Sequence, residues 1–305
     1  MKTKLYLLIA VFGLILGGTS CDRVKYPYVI ITDLDTSLYP GNFIDYDYPT
    51  FDANTNTLRN VMIEDYTGHK CPFCPPAAAV AEGIEASNPG RVFVATIHAG
   101  ASSSGVSDFQ KTNATGEFTH DFTTPEGREM AGTFYDLNVG FDSNPKGTIN
   151  RVQDGGGLFF VSASTWGSKT DEVLATPLDI NIQAKSNYFP ETNGVFLHTE
   201  TEFINDMEGN YNIVVYILQN EIIDWQINGT EYIENYQHRN VHLGNMFGET
   251  WGRSVGSGSI SAGTKVHNDF SYKLPDGLTN DDLHLLIYVY DKASYEVMQV
   301  IEHEF

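Results

Sequence analysis

Cysteine is scarce in this chain: three among 305 residues, at positions 21, 71 and 74. That excludes a disulfide-stapled scaffold and a four-cysteine zinc module. Basic side chains are also few, with 18 Lys and Arg against 39 Asp and Glu and a formal charge of -21. A surface this acidic repels phosphate backbones, so nucleic acid is excluded as a partner. Beyond residue 20 no apolar run reaches the roughly 20 residues that a membrane-spanning helix needs. What the chain does have is 41% hydrophobic and 12% aromatic residues, ample for a buried core. Its length suits one large or two ordinary domains.

The first twenty residues, MKTKLYLLIAVFGLILGGTS, read as a signal peptide (1–20): Lys2 and Lys4 precede an apolar run from Leu5 to Leu16. Small residues, Gly17 to Ser20, then stand directly before Cys21. This resembles a bacterial lipobox, which implies that Cys21 is acylated and anchors the protein to a membrane. An ordinary signal peptide with an incidental Cys21 is the alternative. Disulfides persist in exported proteins. With Cys21 given to lipid, Cys71 and Cys74 have no other thiol in the chain to pair with.

Residues 21–56 are rich in Tyr, Asp, Pro and Asn and read as a lipidated tether with one early strand, YVIITDL. DANTNT, from Asp52, has Thr57 and Ile63 where a calcium loop needs Gly and Glu, so that reading fails. From 57 to 176 the pattern is α/β. NVMIEDYTG is a strand, CPFCPPAAAVAEGIEAS a helix, RVFVATIHA a strand, and residues 100–124 an inserted polar loop. TPEGREMAGTFYDL begins a second helix with Thr124 as N-cap and Pro125 at its first position. NPKGTINRV, a strand LFFVS and a helix over Ser164–Ala175 follow. From 177 to 305 helical periodicity disappears. Seven strand-like segments, LDINIQAKS, GVFLHTETEF, YNIVVYILQNEI, NVHLGNMF, HNDFSYKL, LHLLIYVYD and YEVMQVIEHEF, predict an antiparallel, immunoglobulin-like β-sandwich.

The chemistry centres on Cys71-Pro72-Phe73-Cys74, between a strand and a helix. At a helix N-terminus, unpaired amides and the helix dipole stabilise a thiolate at Cys71. His69 and Lys70 would add positive charge, and Cys74, one turn on, would be the less exposed resolving partner. A zinc site lacks ligands: His238 and His242 are four apart but fall in a strand-and-turn segment far along the chain. An inert disulfide remains the alternative. GRSVG, Gly252–Gly256, matches a G-x-S-x-G elbow, but the GSGSISAGTK after it favours no helix, so the segment reads as a glycine-rich turn in a β domain and a hydrolase is rejected.

Strand, C-x-x-C, helix is the arrangement that resembles the thioredoxin superfamily. Asp65, six residues before Cys71, matches that family's buried proton-relay acid, and Pro145 in FDSNPKGTINR matches its cis-proline. The resemblance implies catalytic roles for Cys71, Cys74, Asp65 and Pro145, with a Cys71–Cys74 disulfide as one redox state. Lys70 stands where the family keeps a tryptophan, and the 100–124 insertion is foreign to its minimal fold.

VMIEDYTGHKCPFCPPAA, NPKGTINR and VVYILQNEIIDWQ...YQHRNVHLGNMFGETWG also resemble the twenty-eight-kilodalton outer-membrane-protein family of Gram-negative lipoproteins. In that family a thioredoxin-like domain precedes a β-sandwich. The resemblance implies a lipid-anchored outer-membrane protein on the periplasmic or cell-surface side. It leaves two functions open, thiol–disulfide exchange on envelope proteins or a non-catalytic, adhesin-type binding protein with a residual disulfide. The expected partners are envelope or extracellular proteins or peptides and, through the lipid, the membrane. No cofactor or metal is implied.

Overall fold

Residues 33–305 are described by the computed structural model. The expected signal peptide, Cys21 and most of YVIITDL lie outside them, and Asp33 and Leu34 form no strand. Two 3-10 turns follow, Thr36–Leu38 and Phe43–Asp45, capped by the side chains of Asp35 and Asn42. Around them Leu38, Tyr39, Phe43 and Tyr46 pack on Phe189 and Phe196.

The α/β part consists of β1 (Val61–Thr67), α1 (Cys74–Ser87), β2 (Val92–His98), α2 (Pro125–Asp136), β3 (Lys146–Ile149) and α3 (Trp166–Leu174). β1 runs parallel to β2 and antiparallel to β3. Its residues alternate between two cores, as the pleat dictates. Val61 and Ile63 pack with Ala77 and Ala81 of α1 and Trp166 and Val173 of α3, whereas Met62 and Tyr66 join Met130 and Phe134 of α2. Thr124 caps α2 as expected, its Oγ1 accepting from the Gly127 amide at 3.0 Å.

The expected strand LFFVS is reduced to one bridge between Val161 and Gly147. Phe159 and Phe160 both bury their rings in one cluster, and both amides donate to the Val139 carbonyl. Neighbouring side chains that share a face cannot follow a strand's alternation.

The β-rich part comprises β4 (Ile180–Phe189), β5 (Gly194–Phe203), β6 (Met207–Asn228), β7 (Glu231–Asn245), β8 (Arg253–Ile260), β9 (Lys265–Lys273), β10 (Leu283–Asp291) and β11 (Val297–His303). β4, β5 and β9 form a three-stranded antiparallel sheet. The larger sheet runs β11-β10-β6-β7-β2-β1-β3, with β8 also on β6. The parallel pairing of Val241 on β7 with Thr96 on β2 joins the α/β and β-rich parts in this one sheet.

β8 occupies the segment read from sequence as a glycine turn. A Cβ at Gly256 would lie 2.4 Å from Ile260 Cδ1 and 2.9 Å from the Phe203 ring, so glycine serves close packing there. Ser254 is the second residue of β8, paired with Asn212, and forms no nucleophile elbow.

β10 and the 211–218 stretch of β6 are buried on both faces. Ile213, Val215, Ile217, Leu285, Ile287 and Val289 face the three-stranded sheet, while Val214, Tyr216, Leu218, Leu286, Tyr288 and Tyr290 face α2 and β1. Two-sided burial explains their unbroken apolar sequences. In the second core Arg151 donates through Nε to Glu64 Oε2 at 2.7 Å and through Nη2 to Oε1 at 2.6 Å. Tyr216 and Tyr288 hydroxyls complete the network, at 3.0 and 3.1 Å from Nη2. Burial alone would raise the Glu64 carboxyl, but the Arg151 charge and hydrogen bonds hold it below the ordinary carboxylate range.

Candidate functional site

β1 ends at Thr67, and the chain then turns through Gly68, His69 and Lys70 into the cysteine pair. The Cys71 amide donates to the Gly68 carbonyl at 2.9 Å, and the Cys74 amide to the Cys71 carbonyl at 3.3 Å. Phe73, at φ -106° and ψ 0°, is not helical, so α1 starts at Cys74, three residues later than expected. Pro75 and Pro76 fall in the first turn, where the missing amides cost no helical bond. Cys71 and Cys74 are joined by a disulfide, with Cα atoms 5.4 Å apart.

Neither sulfur-bearing residue faces solvent. Cys71 is 0% and Cys74 1% exposed, so the expected contrast between an open nucleophile and a recessed partner is absent. Phe73 between them is 69% exposed.

The cover is the β6–β7 hairpin. Gln226 Nε2 donates to the carbonyls of Cys71 at 3.1 Å and Gly68 at 3.4 Å. The Ile227 amide donates to the His69 carbonyl at 2.9 Å, and the Gly229 amide to the Pro72 carbonyl at 2.8 Å. Asn228 pairs with Glu231 across a two-residue turn whose Gly229 has φ 59°, the left-handed conformation such hairpins require. On the other flank the inserted loop closes in, with the Lys70 amide donating to the Phe109 carbonyl at 3.0 Å and Gln110 Nε2 to the Thr67 carbonyl at 2.7 Å. A Cβ on Gly68 would lie 2.7 Å from Phe109 O, so only glycine fits under this loop.

Asp65 lies on β1, buried, and neither carboxylate oxygen has a hydrogen-bond partner among the described residues. Burial, and secondarily the charge of Glu82, pushes its pKa up to about 7. A cavity of about 20 Å³ is lined by Asp65, Cys74, Glu82, Gln226 and Tyr236. That is room for about one water molecule.

The Asn144–Pro145 peptide bond is cis. Lys146 pairs with Tyr66, which places Pro145 at the end of β3 level with the end of β1. Asn144 Nδ2 ties the strand ends together, donating to the Tyr66 and Ala99 carbonyls at 2.9 Å each. Asp65, Cys71 and Cys74 thus lie on one strand–turn–helix unit, with Pro145 immediately before the adjacent strand β3.

The electrostatics beside Cys71 differ from expectation. Burial lowers the His69 pKa, so this imidazole is neutral and adds no charge. Lys70 Nζ is engaged with Asn113 Oδ1 at 2.8 Å. Phe122 of the inserted loop stands among four imidazoles, with centroid separations of 5.6 Å to His69, 4.5 Å to His98, 4.3 Å to His120 and 4.6 Å to His238.

His242 serves elsewhere. Its Nε2 donates to Asn245 Oδ1 at 2.8 Å, which leaves Nδ1 to accept from the Thr124 hydroxyl at 3.0 Å. Neither the hairpin cover nor the imidazole group was legible in the sequence, because their members lie far apart along the chain and follow no fixed spacing.

Residues 133–305, more than half of the chain, match the family model of the outer membrane protein Omp28. The chain belongs to that family. This membership places it at the outer membrane, as the family resemblance implied. Cys21 lies outside the described residues, among which no helix is long and apolar enough to cross a membrane.

The chain is similar to the solved structure of HBP35 of Porphyromonas gingivalis, at 15% identity and a TM-score of 0.59, over 83% of this chain and 77% of that one. At this identity the likeness concerns the fold alone. A solved domain of the outer membrane lipoprotein Omp28 from Porphyromonas gingivalis is 15% identical over 42% of this chain and 88% of its own, with a TM-score of 0.30. No curated protein matches the chain.

Proposed function

We propose that this is a lipid-anchored thiol–disulfide exchange protein of the outer membrane, with Cys71–Cys74 as its redox centre. The single observation that carries the reading is Asp65, a buried carboxyl with no hydrogen-bond partner among the described residues, whose pKa stands at about 7 and which lines one cavity with Cys74. A structural staple has no use for such a group. The C-x-x-C turn between β1 and α1 and the cis Pro145 before β3 support a thioredoxin-like frame. The two facing sheets support an immunoglobulin-like sandwich as a partner-binding module.

Starting from the disulfide, a partner's thiolate attacks Cys71 Sγ, and Cys74 Sγ leaves with the electron pair of the broken S–S bond. At neutral pH protonated Asp65 donates its proton to that sulfur through the shared cavity. A second thiolate of the partner then attacks the partner's sulfur in the mixed disulfide and releases Cys71 as thiolate. The partner departs with a new disulfide, and its two electrons remain on Cys71 and Cys74. Run backwards, the same steps reduce a partner's cystine. Pro145 would position the partner's extended chain. Envelope or extracellular proteins or peptides are the partners proposed, with acylated Cys21 holding the protein at the membrane.

Equilibration with glutathione tests the reading. An exchange-competent pair poises between about -180 and -270 mV, whereas about -300 mV or lower with no exchange on a cystine peptide overturns it. The burial of Cys71 favours a second reading, an adhesin-type binding lipoprotein with a residual disulfide. A Cys71→Ser, Cys74→Ser variant that retains all partner binding and cellular phenotype would establish it.

A further inference from the structure

The hairpin that seals the disulfide rests on an unusual bed. Beneath it lie His69 from the cysteine turn, His98 from β2 and Phe122 from the inserted loop; the hairpin contributes His238, and the exposed His120 stands at the edge of the group. The His98 and His238 rings are 5.5 Å apart. Both ring nitrogens of His98, Nδ1 of His69 and Nε2 of His238 have no hydrogen-bond partner among the described residues.

Neutral imidazoles tolerate such a place, but a cluster of imidazoliums does not. We propose that the β6–β7 hairpin is a pH-sensitive cover: protons taken up by the histidines beneath it lift it from the Cys71–Cys74 disulfide. The proposal rests on the exchange reading and names what regulates access to that site.

The charged groups around the cluster favour opening. From the hairpin, Asp224 approaches His120 Nδ1 at 3.9 Å. Asp121 of the inserted loop is exposed and also near His69. Against these two carboxylates stand four imidazoles and Lys70, whose Nζ lies 5.6 Å from the Phe118 ring centroid. Lys111 of the inserted loop is paired with Asp108 at 2.8 Å. Arg239 and Glu82, 4.0 Å apart, lie on the opposite flank of the hairpin, around the Asp65 cavity.

Burial holds His98 far below the ordinary imidazole range, lowers His69, and brings His238 to about 4. These pKa values are depressed when the cover is closed and return towards about 6.5 when it opens. The closed form is therefore fully favoured above about pH 6.5 and loses ground as pH falls. His238 alone, moving between about 6.5 and 4, shifts the closed-to-open ratio about thirty-fold between pH 7.5 and pH 5.

The test uses the full chain and tris(2-carboxyethyl)phosphine, with each rate of disulfide reduction divided by that of a Cys-Pro-Phe-Cys peptide disulfide at the same pH. The normalised rate is expected to rise about thirty-fold or more from pH 7.5 to pH 5, and in His238→Phe only by what His69 and His98 contribute, about thirty-fold less. A wild-type ratio that does not change with pH, or a full rise in the variant, overturns the proposal. Hydrogen exchange on the wild type gives a second readout that needs no variant. The Ile227 and Gly229 amides, which bond to the cysteine turn, should lose protection at pH 5 while those of β1 keep theirs. Loss across the whole fold would mean acid unfolding and would also overturn it. A disulfide that opens at acid pH but exchanges with no partner would refute the exchange reading alone. Exchange proceeding equally at both pH values would refute the cover alone.

Discussion

Arg151 and Glu64 meet at two points, 2.6 and 2.7 Å, and both side chains are fully buried between the α/β part and the face of β6 and β10. Removing one partner leaves an uncompensated buried charge, which typically costs about 3–5 kcal/mol. Glu64→Gln is expected to lower stability by that amount in urea unfolding. Glu64→Met with Arg151→Met is expected to cost far less, since no lone charge remains. Equal losses in both variants would contradict this account.

Asp65 gives the fold a pH dependence of its own. Its pKa is about 7 when folded and about 3.8 when the chain is unfolded, so the folded form holds the proton more tightly. That stabilising contribution is complete below about pH 3.8 and is lost as pH rises through about 7, a difference of about 4 kcal/mol at most. Asp65→Asn should flatten this part of the stability profile and make the protein more stable than wild type at pH 8. It should also slow release of Cys74 in the exchange assay. A variant with unchanged pH dependence would show that Asp65 is not the titrating group.

Legibility in the sequence followed how local each signal was. β5 and β10 fall on the expected residues: β10 is a continuous apolar run, and β5 opens on the apolar Val195–Leu197 after the turn residue Asn193. α2 was readable from Thr124 and Pro125 alone. Asp65, the cysteine pair and Pro145 were singled out by resemblance to a family; Asp65 and Cys74 share a cavity, and the bond before Pro145 is cis. β8 escaped because Gly256 and Gly258 read as turn residues, whereas one admits a neighbouring side chain and the other adopts φ 69°. The cover over Cys71 escaped because Gln226 lies 155 residues away, and nothing in a C-x-x-C motif says what will lie on top of it.

Gln226→Ala removes the side-chain donor to Cys71 O and Gly68 O. Losing bonds of this kind costs about 1–2 kcal/mol of closure, so phosphine reduction at pH 7.5 should become roughly 5- to 30-fold faster. Global stability should fall by no more than that. An unchanged reduction rate would place the barrier elsewhere, in the inserted loop.

Thr124→Ala removes the α2 cap and the hydroxyl that donates to His242 Nδ1. A cost of about 1–2 kcal/mol is expected by thermal or urea unfolding. Thr124→Ser keeps both bonds and should recover most of it.

β6 runs 22 residues without a break, from Met207 to Asn228. One end is packed against the three-stranded sheet by Ile213, Val215 and Ile217, and the other carries Gln226 onto Cys71. No loop separates the two, and the irregularities on the way are register shifts at Ile217/Leu218 and Asp224/Gln226. The strand is therefore a lever. A force applied where β6 packs on the three-stranded sheet would be transmitted along the same strand to the disulfide's cover, so the proposed docking and the proposed exchange would share a single mechanical part.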